Sequence, residues 1–367
     1  MGHLVWWDDY EMACAAGYEA VTTILRDRRL GREMPADLRP PIPARLAPFY
    51  KLEAHSMLEL DPPRHTRLRS LVLRAFTSRR ITELAPEIET LCHELIDSFP
   101  PGPVDLLEAY AQKLPVIVIT RLLGVPESMA DQLLRWSNAM VTMYQARRTA
   151  ADEDAAAVAS TEFAGFMRDY VEQRRSCPAD DLISHLIAAE TDGAKLSTDE
   201  LITTCILLLN AGHEATVHTM GNGIKTLLEK DTLSSALATD QIESTVEEIM
   251  RYEPPLHLFT RIAREDLELF GHSIKRGQSI GCLLASANRD PAAFNDADQF
   301  IPERPIKANT SFGGGLHFCV GAPLARLELQ IALPVLFSRC PNLKLIDPPK
   351  YANFYHFRGL ETLGVSM

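Results

Sequence analysis

"SFGGGLHFCVG", residues Ser311 to Gly321, is the stretch on which the reading of this chain turns. Three consecutive glycines, Gly313 to Gly315, lead through His317 and Phe318 to Cys319, and Gly321 follows two residues later. Glycine loses more backbone freedom on folding than any other residue, so such a cluster marks a tight path pressed around one cysteine. The bland alternative, a small buried hydrophobe, suits the other six cysteines. Zinc is a weak competitor, because His317 and Cys319 lack a second ligand pair at zinc-like spacing.

Outward from the loop, the totals set bounds. The 367 residues are 46% hydrophobic and 23% charged, enough to bury a large core. A net charge of −12, from 37 basic and 49 acidic residues, disfavours nucleic acid or an anionic membrane as the main partner. Seven scattered cysteines with no CxxC pair imply reduced thiols and a cytoplasmic setting. No signal peptide is legible, and the longest apolar run, "LITTCILLLNAG", is too short to span a bilayer, so a soluble protein is expected.

Helical periodicity dominates. "YEAVTTILRDRRL", "HTRLRSLVLRAF", "PEIETLCHELIDSF" and "MADQLLRWSNAMVTMY" all space apolar residues three and four apart. Residues 35–63 are Pro-rich and read as a long irregular loop, a kind that is usually functional. From Ser197, with Glu200 three residues on, a capping box opens a proline-free stretch to Lys230, which reads as one helix on the order of 50 Å long. "DLELFGHSIKRGQSIGCLLASANRD" reads as short strands between glycine turns, and the carboxyl end from Asn342 also looks strand-like.

"FGGGLHFCVGAPLAR" resembles the heme-binding loop of the cytochrome P450 superfamily, F-x-x-G-x-H-x-C-x-G followed by a helix with L-A-R. Phe312, Gly315, His317, Cys319, Gly321, Leu324, Ala325 and Arg326 carry the match. The resemblance implies a mainly α fold with a smaller β region, in which a long central helix lies over heme b (iron protoporphyrin IX) and the Cys loop beneath it. Cys319 becomes the axial thiolate of the heme iron, a ligand that pushes electron density toward O–O cleavage. Gly313, Gly315 and Gly321 let backbone amides wrap the sulfur, and the following helix adds its positive end.

Other pieces follow in the family's order. Glu248 and Arg251 of "EEIMR", with Arg304 of "QFIPERP", match its structural triad. His65, Arg69, Arg261 and His317 match its propionate-binding cations, as suits two carboxylates. Asn309 stands where the family often has histidine. The resemblance covers Tyr18 to Met367 and implies one catalytic domain over 1–367, which looks shortened at its amino end.

The family's A-G-x-[DE]-T pattern reads here Ala211, Gly212, His213, Glu214, Ala215, Thr216. By resemblance, Ala211 and Gly212 leave room for oxygen and Glu214 relays protons, but the usual threonine is Ala215. Thr216 is rotated about 100° away unless a local bulge turns it inward. An ordered water or a substrate hydroxyl is expected to replace the missing group, and His213 is expected to face outward.

The resemblance places substrate against Leu207, Ala211, Leu256, His257, Leu258 and Phe357. That set suits a lipophilic small molecule with His257 as a polar anchor. Arg64, Arg67, Arg69, Arg74, Arg79 and Arg80 crowd one segment, and those on the cysteine side are expected to steer a ferredoxin-type electron donor. The reading is a monooxygenase fed by NAD(P)H through a separate ferredoxin system. A peroxide-using or non-oxygenating heme-thiolate enzyme is the runner-up, and a non-enzymatic heme-based ligand binder is the alternative from another class.

Overall fold

The computed structural model describes residues 3–145, 147–189, 193, 195–230, 233–353 and 357–367. Helices dominate and strands form a minor region, as expected. The chain divides into two compact units: residues 1–30, 81–115 and 215–367 form one, and residues 31–80 and 116–214 the other.

The first unit holds the main sheet. Leu4–Trp7 pairs antiparallel with Met12–Ala15, which runs parallel to Ser279–Leu283, itself antiparallel to Leu258–Ala263. Leu30–Gly31 forms the far edge. Helix Tyr18–Arg26 buries Ala20, Val21, Ile24 and Leu25, one apolar stripe, in a core with Ile280, Cys282, Leu284 and Ala287. Each fully buried aliphatic side chain there contributes about 1.5–3 kcal/mol. The helix start is held by Asp290, whose carboxylate accepts the Tyr18 N–H at 2.8 Å. Helix Ala322–Arg339 packs on Ala85–Asp97, and Ile242–Tyr252 packs on it as well.

The second unit is helical. Arg64–Ala75, Lys113–Leu123, Ala130–Val141, Ala150–Ser176 and Leu182–Ala188 are its main elements. Thr149 and Asp152 form a reciprocal capping box at the start of Ala150–Ser176. Trp136 stacks on Phe163 at 5.1 Å between two of these helices.

The central helix runs unbroken over the 32 residues Thr198–Glu229, about 48 Å. Its capping box forms as the sequence predicts: Ser197 N–H donates to Glu200 Oε2 at 2.9 Å, and Glu200 N–H to Ser197 Oγ at 3.3 Å.

Two expectations are corrected. Residues 35–63 are not wholly irregular, since Ala47–Glu53 is helical with Pro48 in its first turn, where a missing N–H costs nothing. "LASAN" continues past the strand Ser279–Leu283 as the short helix Leu284–Asn288. The strand-like carboxyl end reduces to Lys344–Leu345, Gly364–Ser366 and isolated bridges, and its residues 354–356 lie outside the described residues. No helix among the described residues is long and apolar enough to cross a membrane.

Candidate active site

The loop entering Cys319 is tied down before it reaches the cysteine. Thr310 N–H donates to Asn288 Oδ1 at 2.7 Å, Asn288 Nδ2 donates to Ser311 Oγ at 2.9 Å, and the Ser311 hydroxyl donates to the Met250 carbonyl at 2.7 Å. Cys319 N–H then donates to the Phe312 carbonyl at 3.0 Å and closes the loop. Gly313 and Gly315 have φ of +69° and +67°, a region that other residues rarely adopt. A Cβ on Gly315 would also collide with the Leu25 carbonyl oxygen. One on Gly321 would lie 3.8 Å from the Cys319 sulfur.

All seven cysteines are free thiols; five are buried, while Cys319 and Cys177 are exposed. The hydrophobe reading therefore fails for Cys177 as well as for Cys319. Helix Ala322–Arg339 begins three residues after Cys319 with Pro323 in its first turn, so its unpaired amides and positive end lie near the sulfur.

Behind the loop lies a buried ion network. Arg251 grips Glu248 with two bonds, 2.7 and 2.8 Å, and donates to the carbonyls of Asn288, Ala297 and Gln299 at 2.8–2.9 Å. Glu248 also accepts from Arg304 Nε at 3.0 Å and Ile301 N–H at 2.8 Å. The expected triad is thus formed, and through Asn288 it holds the start of the Cys319 loop. Asn309 donates to Glu247 at 3.2 Å; Glu247 pairs with Arg326, whose guanidinium lies 4.5 Å over the Phe312 ring. An amide therefore suffices at position 309.

The cationic residues fall in both units. In the first, Arg261 is buried with Nη1 on the Thr260 carbonyl at 3.0 Å, and His317 ends the short turn Gly315–His317, half-buried. In the second, His65 is buried on helix Arg64–Ala75, and half-buried Arg69 follows four residues later on the same face.

On the central helix, Ala211 is exposed, Ala215 half-buried and Thr216 buried at 4% exposure. The helix carries no bulge here, so Thr216 stays turned away from the Ala211–Ala215 face. Gly212 has a further reason for its missing side chain: a Cβ there would come to 3.2 Å from Ile119 of helix Lys113–Leu123. His213 is corrected from outward-facing to buried. Its Nδ1 donates to the Leu209 carbonyl at 2.7 Å, which satisfies that nitrogen, while the buried Nε2 lies 3.6 Å from Glu214 and has no hydrogen-bond partner among the described residues. Glu214 itself retains 15% side-chain exposure.

Of the expected pocket residues, Leu256 and Phe357 are brought together in an antiparallel bridge, and Leu258 is buried at the start of its strand. Burial, then the nearby guanidiniums of Arg358 and Arg289, push the His257 imidazole down to about 4. Leu207 belongs to the other unit and is half-buried.

Sequence reasoning missed Asn288, Arg289 and Arg358, whose roles come from long-range packing. It also overcounted free cations. Arg67 pairs with Glu200, Arg80 with Asp180, and Arg64 donates to the Ala54 carbonyl at 2.6 Å, while Arg74 and Arg79 remain exposed.

Comparison with known proteins gives a consistent picture. The family profile described as Cytochrome P450 matches residues 240–346. The cytochrome P450 monooxygenase PikC of Streptomyces venezuelae is 36% identical over 365 residues, covering 97% of this chain and 85% of that protein. Vitamin D(3) 25-hydroxylase of Pseudonocardia autotrophica is 38% identical over 362 residues, covering 95% and 86%. Among solved structures, P450BioI in complex with hexadec-9Z-enoic acid ligated acyl carrier protein superposes with a TM-score of 0.93 at 32% identity, covering 100% of this chain and 95% of that one.

Proposed function

The chain belongs to the cytochrome P450 family and is an oxygen-incorporating oxidoreductase, and on that premise we propose that it is a heme b monooxygenase acting on a lipophilic small molecule, with residues 1–367 as one catalytic domain. The observation that carries this reading is an exposed Cys319 on a positive-φ glycine loop at the head of an 18-residue helix. A thiolate donor, backbone amides turned around it and cationic side chains for two propionates form a donor set that fits a heme.

Cys319 would supply the thiolate that holds the heme iron. Phe312, Gly313 and Gly321 shape its surroundings. Arg261 and His317 in the first unit, and by resemblance His65 and Arg69 in the second, would receive the propionates. When bound, the heme supplies activation of dioxygen and transfer of one oxygen atom to substrate.

The remaining work falls to side chains. Ala211 and Gly212 leave space above the ring. Glu214, partly open to solvent, passes protons inward. Ala215 has no hydroxyl, so a water or a hydroxyl of the substrate completes the route. In the first unit Leu256, Leu258 and Phe357 would give substrate apolar walls with His257 as their polar anchor, and in the second Leu207 is the residue that the resemblance assigns to substrate. Electrons arrive from NAD(P)H through a ferredoxin-type donor, steered by the exposed basic residues of the Arg64–Arg80 segment, Arg74 among them.

The test of the ligand is the CO-difference spectrum of the reduced protein. Wild type is expected to give the band of a thiolate-ligated heme, and Cys319→His to lose it while still binding heme; an unchanged band in the variant would end the proposal. For the substrate, the ferric protein is titrated with terpenoid, fatty-acid, aromatic and macrolide-like compounds, and the heme spin-state shift names the class. The absence of a hydroxyl at Ala215, with Thr216 buried on another face, favours a second reading: use of peroxide in place of dioxygen and reductant. Product formed with peroxide faster than with reductase and NAD(P)H would select it.

A further inference from the structure

Behind the end of helix Ile242–Tyr252 the first unit carries an open cavity of about 350 Å³. Its walls include Tyr252, Glu253, His257, Ser286, Arg289 and Arg358. Two guanidiniums and one carboxylate meet there, so the lining carries a net charge of +1 when the imidazole is neutral. Arg289 is partly committed: it donates to the Tyr252 carbonyl at 2.6 Å, lies 4.1 Å over the Tyr252 ring and stands 3.5 Å from Glu253.

Arg358 differs. Its backbone is held by an N–H bond to the Pro255 carbonyl at 2.6 Å and by Asn222 Nδ2 on its own carbonyl at 2.9 Å. Its guanidinium stacks at 3.5 Å on the Tyr351 ring, and among the described residues no carboxylate pairs with it. Stacking leaves the edge of the guanidinium, with its fork of donors, available for a planar acceptor.

We propose that this cavity is a binding site for a monocarboxylate with a short apolar body, its carboxylate received by Arg358 and Arg289 and its hydrocarbon part lying against Pro254, Ala285 and the Tyr252 ring. The net charge of +1 matches one carboxylate better than a phosphate dianion. The volume lies at the small end of ligand pockets, which limits the body to a short chain. Burial first, and then these two cations, hold the imidazole of His257 well below its ordinary range, so it adds no positive charge to the lining.

The cavity shares His257 with the substrate pocket proposed above and so rests in part on that reading, but its test reads binding without turnover, so its failure is distinguishable from failure of the heme reading. Calorimetry on the purified heme-loaded protein compares hexanoate with hexanamide, which has the same shape and no charge. Hexanoate is expected to bind roughly tenfold or more tightly than hexanamide, and Arg358→Gln to weaken hexanoate by about the same factor while leaving hexanamide unchanged. Arg358→Lys, which keeps the charge but not the fork, falls between. Equal affinity for the two probes, no detectable hexanoate binding, or hexanoate binding insensitive to Arg358→Gln would each overturn it. Were Arg358→Gln to misfold, the wild-type pair of probes and the lysine variant still decide.

Discussion

Two buried carboxylates in the same unit meet opposite fates. Glu248, 2% exposed, accepts from Arg251, Arg304 and the Ile301 N–H. Glu328, 1% exposed on helix Ala322–Arg339, has neither carboxylate oxygen hydrogen-bonded among the described residues. Burial alone pushes Glu328 up to about 8, so it is carried as the neutral acid, while Glu248 is paired with the guanidiniums of Arg251 and Arg304. A buried carboxylate must be paired or protonated, and the two sites take one solution each. The paired site organises the chain around it, since Arg251 also gathers three carbonyls and thereby Asn288 and the Cys319 loop. The protonated site organises nothing visible, and sits among Cys92 and Tyr110, whose own ionisation burial suppresses.

The sharpest way to break this contrast is Arg251→Met. It leaves Glu248 with one guanidinium fewer and three carbonyls without their donor, and is expected to cost about 3–5 kcal/mol in denaturant unfolding, with heme loss in parallel. A cost below about 1 kcal/mol would mean that the network is incidental.

Next in size is the pH dependence of Glu328. Its folded value lies above the usual 4.5, so the folded state holds a proton that the unfolded state releases. Its contribution is fully present below about pH 4.5 and is lost as pH rises toward 8, by roughly 1 kcal/mol per pH unit in that window. Glu328→Gln, measured beside wild type at pH 5 and pH 8, is expected to remove that slope; parallel curves would show that Glu328 is paired after all.

Asn288→Ala tests the link between network and loop. It removes the acceptor for Thr310 N–H and the donor to Ser311, with an expected loss of about 1–3 kcal/mol and weaker heme retention. The smallest effect is expected at the rim. Asn309→Ala deletes two half-buried bonds, one to Glu247, which keeps Arg326, and one from the Ser311 N–H at 3.0 Å, and should cost about 1 kcal/mol with the heme spectrum unchanged.

What was legible in the sequence follows from how local each signal is. The Gly313–Gly321 cluster, the Ser197–Glu200 box and the apolar stripe of Tyr18–Arg26 are set by backbone conformation and periodicity, which neighbours in the chain determine. The helix Ala47–Glu53 was hidden because a Pro-rich composition masks a proline placed harmlessly in a first turn. His213 was misplaced because a polar side chain reads as exposed until its i−4 carbonyl is seen to satisfy it. The arginines of 64–80 were overcounted because their partners, Glu200 and Asp180, lie 133 and 100 residues away.

By itself, then, the sequence determined the family, the helical class, the cysteine proposed as the thiol ligand and the missing hydroxyl at Ala215, all of which rest on residue type and short spacing. Only the tertiary structure decided which cations are spent and which carboxylate is paired, and only it revealed the cavity bounded by Arg289 and Arg358. Those outcomes depend on burial and on pairings between distant segments, because Coulomb and desolvation energies are set by distance in space rather than by separation along the chain.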